Sequence, residues 1–348
     1  MCNGTIMDKL ISFSLPLMLS GILQLMFNAV DIVVVGRFSG SQALAAVGST
    51  TALINVFTNL FIGISLGANV LAARFFAAGK SKEMSDTVHT SVTLALISGV
   101  VMAFVGLIFS RGALELMGTP ADVIGQSALY MKIYFLGMPF FMLYNYGAAI
   151  LRAVGDTKRP LIFLVVSGVV NAILNMILVI IFHLDVAGVA IATVISQMIS
   201  CILVIRCLCN SQTSYQLYFS KLRINKDYLK QIFQVGIPAG IQSTVINFSN
   251  ALLQSSVNSF GSIAMAGYTA ANNIFGFLYV AVNSVTQACM SFTSQNYGVR
   301  KFKRMDKVLI DCIIISMVTA LTLGCSACFF GPELLKIYTK DTDVIRCG

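Results

Sequence analysis

The sequence predicts an all-α protein, a polytopic bundle of transmembrane helices in two six-helix lobes related by an internal repeat, the second lobe incomplete. Three observations carry this. Apolar runs long enough to cross a bilayer recur from end to end, the chain repeats itself at a displacement of about 221 residues, and its basic residues collect between the runs. With 57% hydrophobic residues, 11% charged residues and a mean hydropathy of +0.84, the composition lies outside that of ordinary soluble domains. The runs are too many for one signal peptide, and the N-terminus is read as retained.

Cutting at Gly, Pro and charge clusters leaves about nine spans. A bilayer core of about 30 Å needs about 20 helical residues at about 1.5 Å each. The first span, near 11–35, ends before Arg37 and contains Pro16, Gln24, Asn28 and Asp31. The second, near 43–73, opens on ALAAVG and holds Gly63-Ile-Ser-Leu-Gly67, the small-xxx-small spacing of close helix packing. A third lies near 88–110, and a fourth near 128–151 contains Pro139. The fifth, near 161–182, carries Asn171 and Asn175, and the sixth, near 186–209, carries Thr193. Residues 210–228 are polar and basic and read as a cytoplasmic linker between a first lobe, 1–209, and a second, 229–348. The seventh span, near 229–260, contains Pro238; the eighth and ninth lie near 264–297 and 308–330. Pro16, Pro139 and Pro238 are expected to kink their helices.

The repeat sets Pro16 against Pro238, Ala43 against Ala264, Gly79 against Gly298, and Asp122-Val-Ile against Asp343-Val-Ile. The second lobe then ends where its fourth span is due, so the chain is read as a fragment lacking three spans. With the N-terminus inside, most of the 23 Lys and Arg fall on inside connections, and the positive-inside rule orients the protein with a cytoplasmic N-terminus in the plasma membrane. The net charge of +9 therefore reflects topology, and no nucleic-acid partner is expected. Nine cysteines, at 2, 201, 207, 209, 289, 312, 325, 328 and 347, do not form a secreted framework. Cys325-Ser-Ala-Cys328, within an apolar span and without a nearby His, is read as buried, inert thiols.

Asp31 is the one carboxylate placed firmly within a span. An ionised Asp near a helix centre costs about 2.5–3.5 kcal/mol on insertion scales, so something must offset it. Neighbouring donors that pin it, or proximity to Arg37, would make it structural. A titratable or cation-binding group facing a water-filled cavity would make it functional, because burial favours the neutral carboxyl and a hard cation such as sodium neutralises the same group. Gln24 and Asn28 share its helix face, and Asn171 and Asn175 form an i, i+4 pair. Interhelical hydrogen bonding, at about 0.6–2 kcal/mol each, accounts for any one amide alone. No phosphate-binding loop, nucleophile with its base, or zinc set appears, and His89 and His183 are single. Neither an enzyme nor an ATP-driven pump is indicated.

ILRAVGDTKRP, Ile150 to Pro160, resembles the cytoplasmic signature of the multidrug and toxic compound extrusion (MATE) family, with Arg152, Gly155, Asp156, Thr157 and Pro160 as its motif residues. FSLPLMLSGILQLMFNAVDIVVVGRFSG, ALAAVG and GVAIATVISQ resemble the same family, and the likeness covers nearly the whole chain. The resemblance implies two six-helix lobes around a central cavity and export of organic, cationic or amphipathic small molecules in exchange for protons or sodium. The pattern looks like the branch named after the DNA-damage-inducible protein F (DinF), whose cation site lies in the N-terminal lobe. On that resemblance Asp31 is the coupling carboxylate, with Asn171, Asn175 and Thr193 around it, and Gln24, Asn28, Tyr144 and Asn145 are candidate cavity residues. Members with a second carboxylate carry it at the position of Asn175, so a two-carboxylate site is weakened and both ions remain open. The seventh span lacks the glutamate of another branch.

The expected function is an ion-coupled antiporter working by alternating access, a monomer in the bilayer with no cofactor and no metal beyond sodium. The alternative is a flippase of lipid-linked saccharides, disfavoured because no Lys or Arg lies deep in the first lobe's spans. A passive channel is disfavoured by the two-lobed repeat.

Overall fold

The structure, a computed structural model, describes residues 1–258, 262–336 and 342–348, and these are mostly helical with no strand. Helix α1 spans Met7–Phe38, with Asp8 in its first turn and Arg37 in its last, a charge order that suits the helix dipole. Gly40, at φ +86°, turns the chain tightly into α2, Gly40–Ala77, a backbone angle that favours glycine. Gly79, at φ +68°, does the same before α3, Ser81–Leu116. At about 1.5 Å per residue these rods run well past a core of about 30 Å, so they extend beyond the predicted span limits.

The predicted fourth span is two helices, α4 (Ile124–Leu136) and α5 (Met138–Ala153), bent by 48°. Pro139 sits in the first turn of α5, where its missing N–H costs nothing. Pro16 and Pro238, by contrast, lie inside helices that continue through them. Helix α6 (Lys158–Asn175) widens into a π turn, Met176–Ile181, and α7 follows at Asp185–Cys209. The remaining helices are α8 (Lys226–Asn258), α9 (Ser262–Gly298), α10 (Phe302–Phe329), and the short α11 (Gly331–Leu335) and α12 (Thr342–Cys347).

Among the described residues, seven helices are long and apolar enough to cross a membrane, and the bent α4–α5 pair makes an eighth. Helix α8 has the length, 33 residues, but Lys226, Asp227, Lys230, Gln231, Gln234 and Gln242 dilute its apolar character. Eight spans therefore pass where about nine were expected, and α8, the expected seventh, falls short in hydropathy.

The main core is built on α2, α3, α4 and α5, where Phe135, Met138, Met142 and Tyr146 are fully buried. A smaller cluster joins α1 to α9 and α10 through Leu10, Phe13, Phe292 and Val308, with the rings of Phe13 and Phe292 edge to face at 5.6 Å. Helix α10 lies at the edge of the bundle, so Cys325 and Cys328 are exposed. The reading of these thiols as buried is corrected: hydropathy locates a span without saying which of its faces is covered.

The segment before α8 packs on the bundle. Leu217 is buried; the Tyr218 amide donates to His89 Nε2 at 3.1 Å, and Arg223 pairs with Asp86 at 2.7 Å. His89 Nδ1, 2.6 Å from the Ser85 carbonyl, must then carry the ring proton, because Nε2 is the acceptor.

Candidate functional site

Asp31 heads a chain of four side chains from three helices. Helix α1 comes close to α6 because Gly168 has no side chain: the Phe27 ring occupies the place a Cβ would take. One turn on from Phe27 in α1 and two turns on from Gly168 in α6, Asn175 Nδ2 donates to Asp31 Oδ1 and, at 3.2 Å, to Asn171 Oδ1. Asn171 Nδ2 lies 3.5 Å from Thr193 Oγ1 on α7, whose hydroxyl donates to the Val189 carbonyl at 2.9 Å. Asp31 is only 9% exposed and Asn175 is fully buried. The i, i+4 spacing puts both amides on one helix face, and the π turn begins immediately after Asn175; such widened turns recur at functional sites.

Charge-assisted donation from Asn175 favours the ionised carboxylate, offsetting part of its desolvation. Asn175 Oδ1 is enclosed without a hydrogen-bond partner. Asn175 Oδ1, Asn171 Oδ1 and the Asp31 carboxylate are oxygen donors of the kind a hard cation takes.

Asp31 forms part of the wall of a cavity of about 470 Å³ bounded by α1, α2, α4, α5, α6, α7 and α9. Gln24, Asn28, Tyr144 and Asn145, singled out from the sequence, all line it, as do Asn171 and Thr193; Asn175 sits behind the wall. The Tyr144 hydroxyl donates to the Pro160 carbonyl at 3.1 Å, and Asn145 Nδ2 to Phe141 of its own helix at 2.8 Å.

The motif residues divide. Gly155, at φ +100°, makes the turn from α5 to α6, and Asp156 accepts from the Arg159 amide at 3.1 Å and pairs with its guanidinium at 2.8 Å. Thr157 precedes the first residue of α6, and Pro160 lies in its first turn. Arg152 was assigned to the loop, but it belongs to the last turn of α5 and its side chain lines the cavity. Helix α5 runs two residues past the predicted span limit of 151, and its final turn brings Arg152 to the cavity from the helix end.

Sequence reasoning missed Tyr130 and Tyr134 of α4, Gln197 of α7, and Asn283 and Gln287 of α9, all on the cavity wall. The signal was present. Each pair is spaced i, i+4, as are Thr193 and Gln197, so each lies on one helix face.

The chain matches the MatE family model over residues 16–177 and 238–348. It is 31% identical over 342 residues to the probable multidrug resistance protein YoeA of Bacillus subtilis (strain 168), covering 96% of this chain and 73% of that one. It is also 23% identical to the multidrug export protein MepA of Staphylococcus aureus (strain MSSA476), covering 99% and 76%. A crystal structure of MATE in the bent conformation superposes with a TM-score of 0.91 at 23% identity, over 99% of this chain and 77% of the other. Helix architecture, family model and relatives agree, and the chain belongs to the MatE (MATE) family.

Proposed function

We propose that this protein is a multidrug efflux transporter, an antiporter that exports organic, cationic or amphipathic small molecules by alternating access in exchange for inward protons or sodium. The observation that carries this reading is Asp31 in the cavity wall, held by the Asn175, Asn171 and Thr193 chain. A buried carboxylate of this kind is costly in a membrane unless it serves an ion. The names of the relatives, which specify multidrug resistance and export, support the substrate class.

The coupling follows from population shift: an ion does work only if it binds one conformation better than the other. Proton or sodium binding at Asp31 neutralises the group that Asn175 holds, which changes the contact between α1 and α6 and so biases the conformation of α1. The DinF-like branch fits because the acid lies in the N-terminal lobe. The N-terminus is cytoplasmic in this reading, which puts the basic connections inside the plasma membrane, and the protein acts as a monomer. The flippase reading gains little from Arg152, since one guanidinium is a poor match for a pyrophosphate.

Dye efflux from proteoliposomes, under proton and sodium gradients imposed separately, tests the proposal. Asp31→Asn is expected to abolish gradient-driven efflux while the protein remains folded, and the gradient that drives the native protein names the ion. Unchanged efflux in the variant would make Asp31 structural.

A further inference from the structure

The cavity wall carries two charged side chains, Asp31 and Arg152. Arg152 also lines the adjoining niche with Leu17 and Gln287. Leu17 is fourteen residues before Asp31 in α1, so the two charges are separated by about 20 Å along the helix at about 1.5 Å per residue. A ligand whose charged group docks on Arg152 therefore need not reach Asp31.

Arg152 lacks the partner its chemistry calls for. A guanidinium stays charged in proteins and offers five N–H donors. Among the described residues, no carboxylate lies within ion-pair distance of it. Its contact is from Nη1 to Gln287 Oε1 of α9 at 3.3 Å, and Nε is enclosed without any partner. A charge in such a place is expensive unless it is paired. The planar fork matches a carboxylate in two parallel hydrogen bonds, and Tyr144 and Asn145, two turns earlier on α5, provide polar and aromatic surface for the rest of such a molecule.

We propose that Arg152, steadied by Gln287, is an anion subsite of the substrate cavity, so that the protein takes amphoteric compounds bearing a carboxylate in preference to their neutralised esters. This rests on the cavity being the substrate site. The negative group sits at the Arg152 end, apart from the coupling ion at Asp31, so substrate and ion do not compete for one charge.

The test is fluorescence anisotropy on the purified full chain in detergent, with rhodamine 110, which carries a free carboxylate, and rhodamine 123, its methyl ester. The native protein is expected to bind rhodamine 110 about tenfold more tightly, and Arg152→Gln to bring that ratio to about one, with Arg152→Lys retaining part of it. An equal affinity for both dyes in the native protein overturns the subsite and leaves the cavity reading standing. A ratio unchanged in Arg152→Gln while both affinities fall shows a structural arginine and also overturns it. Binding of neither dye overturns the cavity reading and this one together. If Arg152→Gln does not fold, competition on the native protein decides: benzoate should displace rhodamine 110 where benzamide at the same concentration does not, and equal displacement by the two rejects the subsite.

Discussion

At the scale of single residues, the site is a short chain of donors ending on one acid. Asn175 Nδ2 is the link between Asp31 and Asn171. Replacing it by leucine leaves a buried carboxylate without its donor, and such an orphaned group costs about 1–3 kcal/mol, more when charged. Asn175→Leu is therefore expected to lower the thermal midpoint, and the loss should be smaller when Asp31→Asn is already present. A double-mutant cycle on the unfolding midpoint measures the coupling; strict additivity would mean that the two side chains do not interact. The members of this chain were legible, because a lone acid and amides at i, i+4 stand out in apolar spans. Arg152 was not, since it stands next to the turn residues in sequence and only the direction of the last turn of α5 sends its side chain inward.

At the scale of helices, glycine decides how α2 and α8 cross. Gly63 and Gly67 of α2 face Gly236 and Gly240 of α8, backbone to backbone. A Cβ on Gly240 would meet the Leu60 carbonyl oxygen at 2.7 Å, and one on Gly236 the Ile64 Cα at 2.5 Å. Backbone cannot rotate away as a side chain can, so Gly240→Leu is expected to cost at least about 1–3 kcal/mol. Gly324→Ala in α10, where a Cβ meets open space, should leave stability unchanged or raise it by up to about 1 kcal/mol. Thermal unfolding of the two variants side by side checks this, and equal midpoints would reject a close crossing. Gly63-Ile-Ser-Leu-Gly67 was visible in the sequence, but its partner Gly236-Ile-Pro-Ala-Gly240 was not singled out. In a chain with 27 glycines, spacing alone does not pair one motif with another. The segment before α8 makes a similar point. His89→Leu removes the acceptor of the Tyr218 amide, at about 1–3 kcal/mol for the unpaired donor, so limited proteolysis should cut residues 210–225 faster than in the native protein.

For the whole molecule, among the described residues the hydrogen bonds that join α9 to α2 and α5 lie in its C-terminal half. Ser291 Oγ donates to Asn69 Oδ1 at 3.0 Å, Gln295 Nε2 to the Ala153 carbonyl at 2.7 Å, and Arg74 lies 4.9 Å over the Tyr297 ring. These tie the basic end of α9 to α2 and α5. Losing two such bonds in Asn69→Leu with Gln295→Leu removes about 1–3 kcal/mol, or about 5- to 150-fold in the ratio of closed to open populations. Double electron–electron resonance between bio-orthogonal labels at Lys82 and Lys307 should then show a longer distance gaining weight; an unchanged distribution would mean that these bonds do not hold the end closed. By itself, the sequence determined that this is a multi-span membrane protein of the MATE family, which helix carries the buried acid, and which amides share a face. Hydropathy and helical period are local properties, and a carboxylate in an apolar span is conspicuous without any structure. Tertiary structure decided that Asp31 meets Asn175 across α1 and α6, that the α4–α5 span breaks, that α2 and α8 cross on four glycines, and that Arg152 turns into the cavity. Each of these depends on how two helices approach and which faces they turn to one another, and packing between distant segments sets that geometry where local period cannot.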